Sequence, residues 1–555
     1  MARPTYPLAA LLCVCCFGAS LNAQLTRPVP SAGGGGPREV TGVELSEVTT
    51  FGNQEFVPYA LLPYGDGFVV HAVTEFATTS LLPARQGLDD LRSLQLHRFD
   101  ADLRRVGAPL PVAWPDEQRD HLGLASLGDA LLWTFATYTA KEGVYEVVAE
   151  VLNGDGELVA AHPLMKVDRR EFGTLADHDA RSDDGHYYVR VYADESEQRL
   201  LSKRDEERAT LTVAVFDNAG ALVSKLRRRI PVARDQLEIR EVAVDEEGRA
   251  YVLAKAYTNS RRRETVGGSD SEVLLFTLAP GAEEFERVNL RLAGQYIEGI
   301  SMVPGRDGVP AIVGVYSDRI GRRIAGYFAT DDPRAGELLT PVPFPQEVLG
   351  SLGRRVTDRR RGAAVLEGQF EFRDALRLTD GRLAILLESF RVVTSNNGPV
   401  GVGVGAGVAG YQDTDYLFGE GIALTFDAAG ALVEALVVPK YQRADAPNNP
   451  YYSASLVEYD GAPAVIYNDN PANFTRDADR NQRPLRIQRA LAVLAYADAE
   501  GRLQREPLFA RAEADKLVLV PRSAARLANG DVVFLALRYR GFAKNEVRFG
   551  VLRGG

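Results

Sequence analysis

Apolar and polar positions follow one another in short runs along most of this chain, with no long stretch of helical period. The runs are rich in Val, Leu, Phe and Tyr and are divided by turn residues, which predicts β-strands throughout. One kind of turn precedes a strongly apolar run. Asp66-Gly67 stands before Phe68–Ala72, Asp184-Gly185 before His186–Val191, Glu247-Gly248 before Ala250–Ala254, Asp380-Gly381 before Leu383–Leu387, Asp460-Gly461 before Ala464–Tyr467, and Asn529-Gly530 before Val532–Leu537. Asp-Gly and Asn-Gly tolerate positive φ and suit hairpins. A second turn lies between an apolar-aromatic run and a polar one often closed by Pro. Val213–Val223, Ala423–Val433 and Val493–Leu503 are copies of it, with Pro231, Pro439 and Pro507 following.

One repeat is therefore strand, tight turn, buried strand, variable connection, strand, tight turn, outer strand, which is a four-stranded antiparallel blade. Copies begin near residues 55, 120, 176, 239, 297, 370 and 451, and a last one, from 517 to Gly555, has three strands. The segment Val40–Thr50 supplies its fourth. The expected fold is an all-β β-propeller of about eight four-stranded blades, with seven as the alternative, closed by an N-terminal strand. Closing the ring in this way removes free sheet edges. The domain spans residues 38–555.

The meander also sorts its connections. Both tight turns of a blade point to one rim. The links between second and third strands point to the other, as do those between blades. The long segments 75–94, 193–208, 257–271, 390–417 and 468–488 all belong to that second rim. Long connections on a rigid scaffold are where binding usually resides.

The N-terminus carries different information. Residues 1–23 hold one charge, Arg3, then an apolar run from Leu8 to Phe17, and end in Leu21-Asn22-Ala23. This reads as a secretory signal, too short to span a bilayer. Residues 24–37, with Gly33–Gly36, read as a flexible leader. Cys13, Cys15 and Cys16 all fall within the signal, so the mature chain has no thiol for a disulfide, a metal or nucleophilic catalysis. Export without disulfides suggests a bacterial envelope, either periplasm or cell surface. The chain has 64 Lys and Arg against 75 Asp and Glu, a net charge of −11, which argues against nucleic acid as a partner. The expected partners are an envelope protein, a polar or anionic small ligand, or a glycan.

Several motifs fail on their own terms. Gly405-Ala-Gly407-Val-Ala-Gly410 fits a dinucleotide loop but has no helix after it. Asp477-Ala-Asp479-Arg-Asn481 begins like a calcium loop, yet Gln482 and Gln488 stand where Gly and Glu are needed. Calcium is the one cofactor that pattern would suit; none is expected. Asp177-His178-Asp179 with Asp183 and His186 surrounds one hairpin on the plain rim, where turn chemistry explains it without a metal. Arg261–Arg263, Arg319, Arg322, Arg323, Arg476, Arg480 and Arg483 make several connections basic; they could form an electropositive rim for an anionic ligand, but Asp205–Glu207, Asp477 and Asp479 among them favour ordinary solvated loops. Asn473-Phe474-Thr475 fits a glycosylation acceptor, of little weight in a bacterium.

One constellation stands out in the sixth and seventh repeats. Glu388 ends a buried strand, Lys440 and Gln442 follow the outer strand of the same repeat, and Asn468, Asp469, Asn470 and Asn473 end the next buried strand. All should emerge on the long-loop rim. As a ligand-binding pocket they would offer charge and carboxamides. As an enzyme, a glycan- or peptide-directed hydrolase or lyase, Glu388 and Asp469 would be the acid/base pair and Lys440 would tune them. As a purely structural device they would hold two blades together. Glu388-Ser-Phe390, Pro439-Lys440-Tyr441-Gln442 and Tyr467–Asn473 resemble the E-x-[FY], I-P-K-x-Q and [FY]-N-D-N-x-x-N segments of an uncharacterised family of exported bacterial β-propeller-like proteins, with Val438 in place of the usual Ile. The resemblance implies an envelope setting and shared residues, and no reaction. The preferred expectation is a non-enzymatic binding propeller.

Overall fold

The second strand of nearly every repeat is buried on both faces, which explains why these strands read as unbroken apolar runs. Ala311–Ser317 is buried at every position, and so is all but the first residue of Tyr187–Asp194 and Ala462–Asp469. A sheet packed on both sides needs a neighbour on each side, and eight sheets arranged in a ring satisfy all of them.

The computed structural model describes residues 43–49, 56–74, 94–112, 119–194, 208–257, 271–303 except 293, 305, 308–318, 323–331, 338–345, 366–367, 370–397, 411–445 except 429, 449, 451–474, 482–509, 517–538 except 528, and 546–553. The protein is an eight-bladed β-propeller. The innermost strands are Phe56–Tyr64, Arg119–Leu127, Leu175–Arg181, Leu237–Val244, Tyr296–Val303, Phe370–Arg377, Ala454–Tyr459 and Leu517–Arg526, which fall close to the expected repeat starts. The expected signal, the leader, the Gly405–Gly410 motif and the Asp477–Asn481 motif lie outside the described residues. Among the described residues no helix is long and apolar enough to cross a membrane.

Ring closure follows the expectation with a shorter strand. Val43–Leu45 pairs antiparallel with Glu546–Leu552, Val43 opposite Leu552 and Leu45 opposite Gly550, and so completes blade eight. Arg553 reinforces the closure. Its Nη2 reaches Glu44 at 2.9 Å, and its Nη1 reaches Asp531 at 2.9 Å and the Ala101 carbonyl at 3.2 Å. Beside it, Phe549 of blade eight packs on Phe68 and Phe99 of blade one, with ring centroids 5.2 and 4.7 Å away.

Three details differ from the sequence reading. The two classes of tight turn share a structure at four positions. At Asp217, Asp245, Asp427 and Asp498 the Gly three residues on donates its N–H to the Asp carbonyl, and the Asp carboxylate accepts from Ala221, Arg249, Ala431 and Arg502. Gly220, Gly248, Gly430 and Gly501 adopt positive φ there, while the acidic residue supplies the cap. Second, the segment 390–417 is not one long connection. Strands Leu383–Asn397 and Tyr411–Phe426 continue beyond the blade as a paired ribbon, with Gln442–Ala444 alongside. Third, blade five has a broken outer edge made from Val342–Pro343 and Leu366–Glu367.

Candidate functional site

The end of a second strand and the end of a fourth strand in one blade meet at the long-loop rim. Blades three, six and seven use that meeting in the same way. Asp194 faces Arg234, Glu388 faces Lys440, and Asp469 faces Arg505. Each carboxylate lies near the long-loop end of the blade's second strand, and the cation comes from the outer strand, as Arg505 does, or from the link that follows it, as Arg234 and Lys440 do. The constellation singled out from sequence is thus two copies of a device that occurs three times among the described residues.

Blade six carries the most elaborate copy. Glu388 and Lys440 form an ion pair with both side chains out of reach of solvent. Arg373 Nε donates to Glu388 Oε2 at 2.7 Å, and the Ser453 hydroxyl donates to the same oxygen at 2.8 Å. Lys440 Nζ also donates to Gln442 Oε1 at 3.3 Å. Gln442 binds the next blade: its Oε1 accepts from Ser453 N at 2.7 Å and its Nε2 donates to the Asn468 carbonyl at 2.8 Å. Phe418 and Phe390 cover the charges, with Arg373 5.6 and 5.2 Å from their ring centres.

Blade seven continues the network into blade eight. Asn468 Nδ2 donates to the Leu519 carbonyl at 2.7 Å, and its Oδ1 accepts from Leu519 N at 3.0 Å, like a peptide unit in a ladder. Asp469 accepts from Asn470 N and Asn473 Nδ2, each at 2.7 Å, and pairs with Arg505. Asn473 in turn pins the returning chain, accepting from Arg483 N at 2.8 Å and donating to its carbonyl at 3.0 Å.

Protonation follows from these contacts. Burial raises the Glu388 carboxyl, but the Lys440 and Arg373 charges outweigh it and hold the group below its ordinary value. Burial lowers the Lys440 ammonium, against the pull of Glu388. Burial raises Asp469, with Arg505 opposing.

The structure therefore brings the seven sequence-selected residues together but places six of them, Glu388, Lys440, Gln442, Asn468, Asp469 and Asn473, in the interior. Asn470 is half-buried and caps the short turn Pro471–Asn473 through Ala472 N. Of the two readings the sequence left open, pocket or buried network, the contacts are those of a network: charges and carboxamides meet internal partners, and the arrangement clasps blades six, seven and eight. Both amide atoms of Asn473 are likewise engaged, so the asparagine of the glycosylation motif is buried; Thr475 lies outside the described residues. Arg373, Ser453 and Arg505 escaped the sequence reading. For Arg373 a signal existed, since Arg373-Asp374 interrupts an otherwise alternating strand.

The Asp177–His186 group also moves. Asp177, His178 and Asp179 lie along the innermost strand of blade three and not at its turn. Arg190, buried beneath them, makes contact with Asp177 at 2.5 Å and Asp179 at 3.7 Å, so a guanidinium answers these carboxylates. Asp183 and His186 do sit at the turn, where His186 pairs with Asp184 at 2.8 Å. Among the described residues, no three His, Cys, Asp or Glu side chains converge as metal ligands do.

No protein family model matches the chain, and no curated protein does. Solved structures that resemble it include the β-propeller domain of the Trilobed protease from Pyrococcus furiosus, 10% identical, covering 84% of this chain and 98% of that one with a TM-score of 0.33. An apocarotenoid oxygenase from Synechocystis is 11% identical over 69% of this chain and 74% of its own, with a TM-score of 0.31. A prolyl endopeptidase is 13% identical, covering 74% and 54%, with a TM-score of 0.31. Nothing about the chemistry of this chain follows from these likenesses.

Proposed function

We propose that this chain is an exported, non-enzymatic binding propeller of the bacterial cell envelope, and that its partner meets the rim carrying the long connections. One observation carries the reading. The connections 75–93, 195–207, 258–270, 398–410 and 470–490 all join a second strand to a third, so five blades send their longest segments from the same rim, while the opposite rim carries mainly tight turns, with longer links at 100–109 and 331–341. The buried clasp supports them as scaffold. Its burial counts against the hydrolase or lyase alternative, because Glu388 and Asp469 would have to leave cation partners to reach a substrate. A purely structural role draws on the same clasp, and capture separates the two readings.

The test is capture from bacterial envelope extract by the immobilised protein, compared with variants in which 258–270 or 398–410 is replaced by a short Gly-Ser link. A specific partner retained by the native chain and lost on shortening is expected. No partner, or equal capture by every shortened variant with native circular dichroism, contradicts the proposal. Recovery of a periplasmic or surface form that begins at Gln24 checks export.

A further inference from the structure

Six of the eight innermost strands share an irregularity, in blade one a register slip between Pro58 and Ala60. Their register slips between His121 and Gly123 in blade two, Ile239 and Glu241 in blade four, Ile297 and Gly299 in blade five, and Phe372 and Asp374 in blade six. In blade eight the slip is longer, from Val520 to Ala525. A bulge re-aims its extra residue, and the innermost strand of a propeller borders the central channel. Four of the residues so placed are charged: Arg240, Glu298, Arg373 and Arg522.

Three of the four are answered within the protein. Arg240 meets Glu238 at 2.6 Å, Glu298 accepts from Ser317, and Arg373 holds Glu388 at 2.7 Å and Glu371 at 2.8 Å. Arg522 is exposed and makes no hydrogen bond or ion pair among the described residues. Its charged neighbours are Arg373, Glu388, Glu371 and Asp374, all from blade six. Blade seven stands between the two strands, so these groups meet on the channel side.

The nearby carboxylates are not equally committed. Glu388 is fully buried against Lys440 and Arg373. Asp374 accepts from Leu456 N at 2.8 Å, tying blade six to blade seven. Glu371 has a side chain 45% exposed and, among the described residues, pairs with Arg373 alone. An ion pair that open to water is weak, about 0–1 kcal/mol, and easily exchanged. With Glu371 turned to solvent, Arg373, Lys440 and Arg522 face Glu388 and Asp374, which leaves one positive charge over.

We propose that Arg522 and Arg373 form a carboxylate-binding site on the channel wall, with Glu371 occupying the ligand's place on Arg373 when the site is empty. One surplus charge presented by planar guanidinium forks suits a carboxylate better than a doubly charged phosphate. The site deepens the binding reading, and rests on it, by giving the class of small ligand.

The test is titration of the full chain with sodium acetate and with sodium propionate, against phosphate and chloride at constant ionic strength, read by calorimetry and by arginine side-chain N–H shifts. Saturable uptake of at least one carboxylate is expected. Arg522→Gln should weaken it by about tenfold or more, and Glu371→Gln should tighten it by about threefold or more, each change being roughly a kcal/mol. Both residues lie at the channel, so circular dichroism should stay native. Lack of saturation, equal uptake by R522Q, preference for phosphate, or an unaltered E371Q each overturns the proposal. Failed envelope capture with intact carboxylate uptake would refute the rim as an interaction surface and leave this site standing.

Discussion

Replacing Lys440 by Met removes one charge of a pair from which solvent is wholly excluded. Breaking such a pair on one side costs about 3–5 kcal/mol, because the remaining ion stays buried. Here Arg373 and Ser453 still hold Glu388 Oε2 at 2.7 and 2.8 Å, so the loss should fall near the lower end, about 3 kcal/mol. Urea unfolding at fixed pH reads it. The pH dependence gives a second signature. Glu388 has a depressed pKa in the fold, so it contributes stability above the unfolded value, about 4.3, and loses it as pH falls through the folded value. The gap between native chain and K440M should therefore be widest near neutrality and narrow in acid. Adding Glu388→Gln to K440M should restore at least about 1 kcal/mol, since Arg373 keeps Glu371 and no bare carboxylate remains. A K440M variant within about 0.5 kcal/mol of the native chain, or a double variant worse than the summed singles, refutes the clasp.

Other outcomes follow from the same packing. A Cβ at Gly123 would lie 2.5 Å from the Arg190 guanidinium, which Leu122 O and Tyr188 hold in place, so Gly123→Ala should cost about 1–3 kcal/mol in urea unfolding. Glu241 takes Met302 N at 2.7 Å and is pushed up from 4.5 to about 7, chiefly by burial. The fold thus binds that proton more tightly than the unfolded chain does. The native chain should lose stability relative to Glu241→Gln as pH climbs from 4.5 to about 7, with a constant gap above; equal pH profiles would contradict this. Arg553→Ala should speed amide exchange at Glu44 and Ser46 while leaving Tyr251 and Val252 in blade four unchanged, because the arginine joins Glu44 to Asp531.

The blades were legible because each depends on local chemistry. Runs such as Leu383–Leu387 are continuous since both faces of the strand are covered, and glycines at positive φ mark the hairpin ends. The incomplete last repeat pointed to its own remedy near the N-terminus. The ribbon beyond Phe390 was not legible: Gln412, Asp413, Thr414 and Asp415 show no apolar period, for they lie beyond the packed portion of the blade. The clasp was half legible. Topology put Glu388, Lys440 and Asp469 on one rim, but whether they face water depends on Arg373, Ser453 and Arg505, whose partners are distant in sequence and set by register. Arg522 left no sequence pattern, because its surroundings come from a strand two blades away.

Ring closure is the claim on which the rims, the clasp and the channel all depend. Val43 and Leu552 are directly opposed and pack into one apolar cluster. With Val43→Cys and Leu552→Cys in a chain begun at Gln24, which has no cysteine of its own, oxidation should link the two ends by a disulfide within a monomer. After cleavage at a site introduced in 258–270, the fragments should migrate as one species until reduced. Fragments that separate without reduction, or links formed only between molecules, would contradict a closed eight-bladed ring.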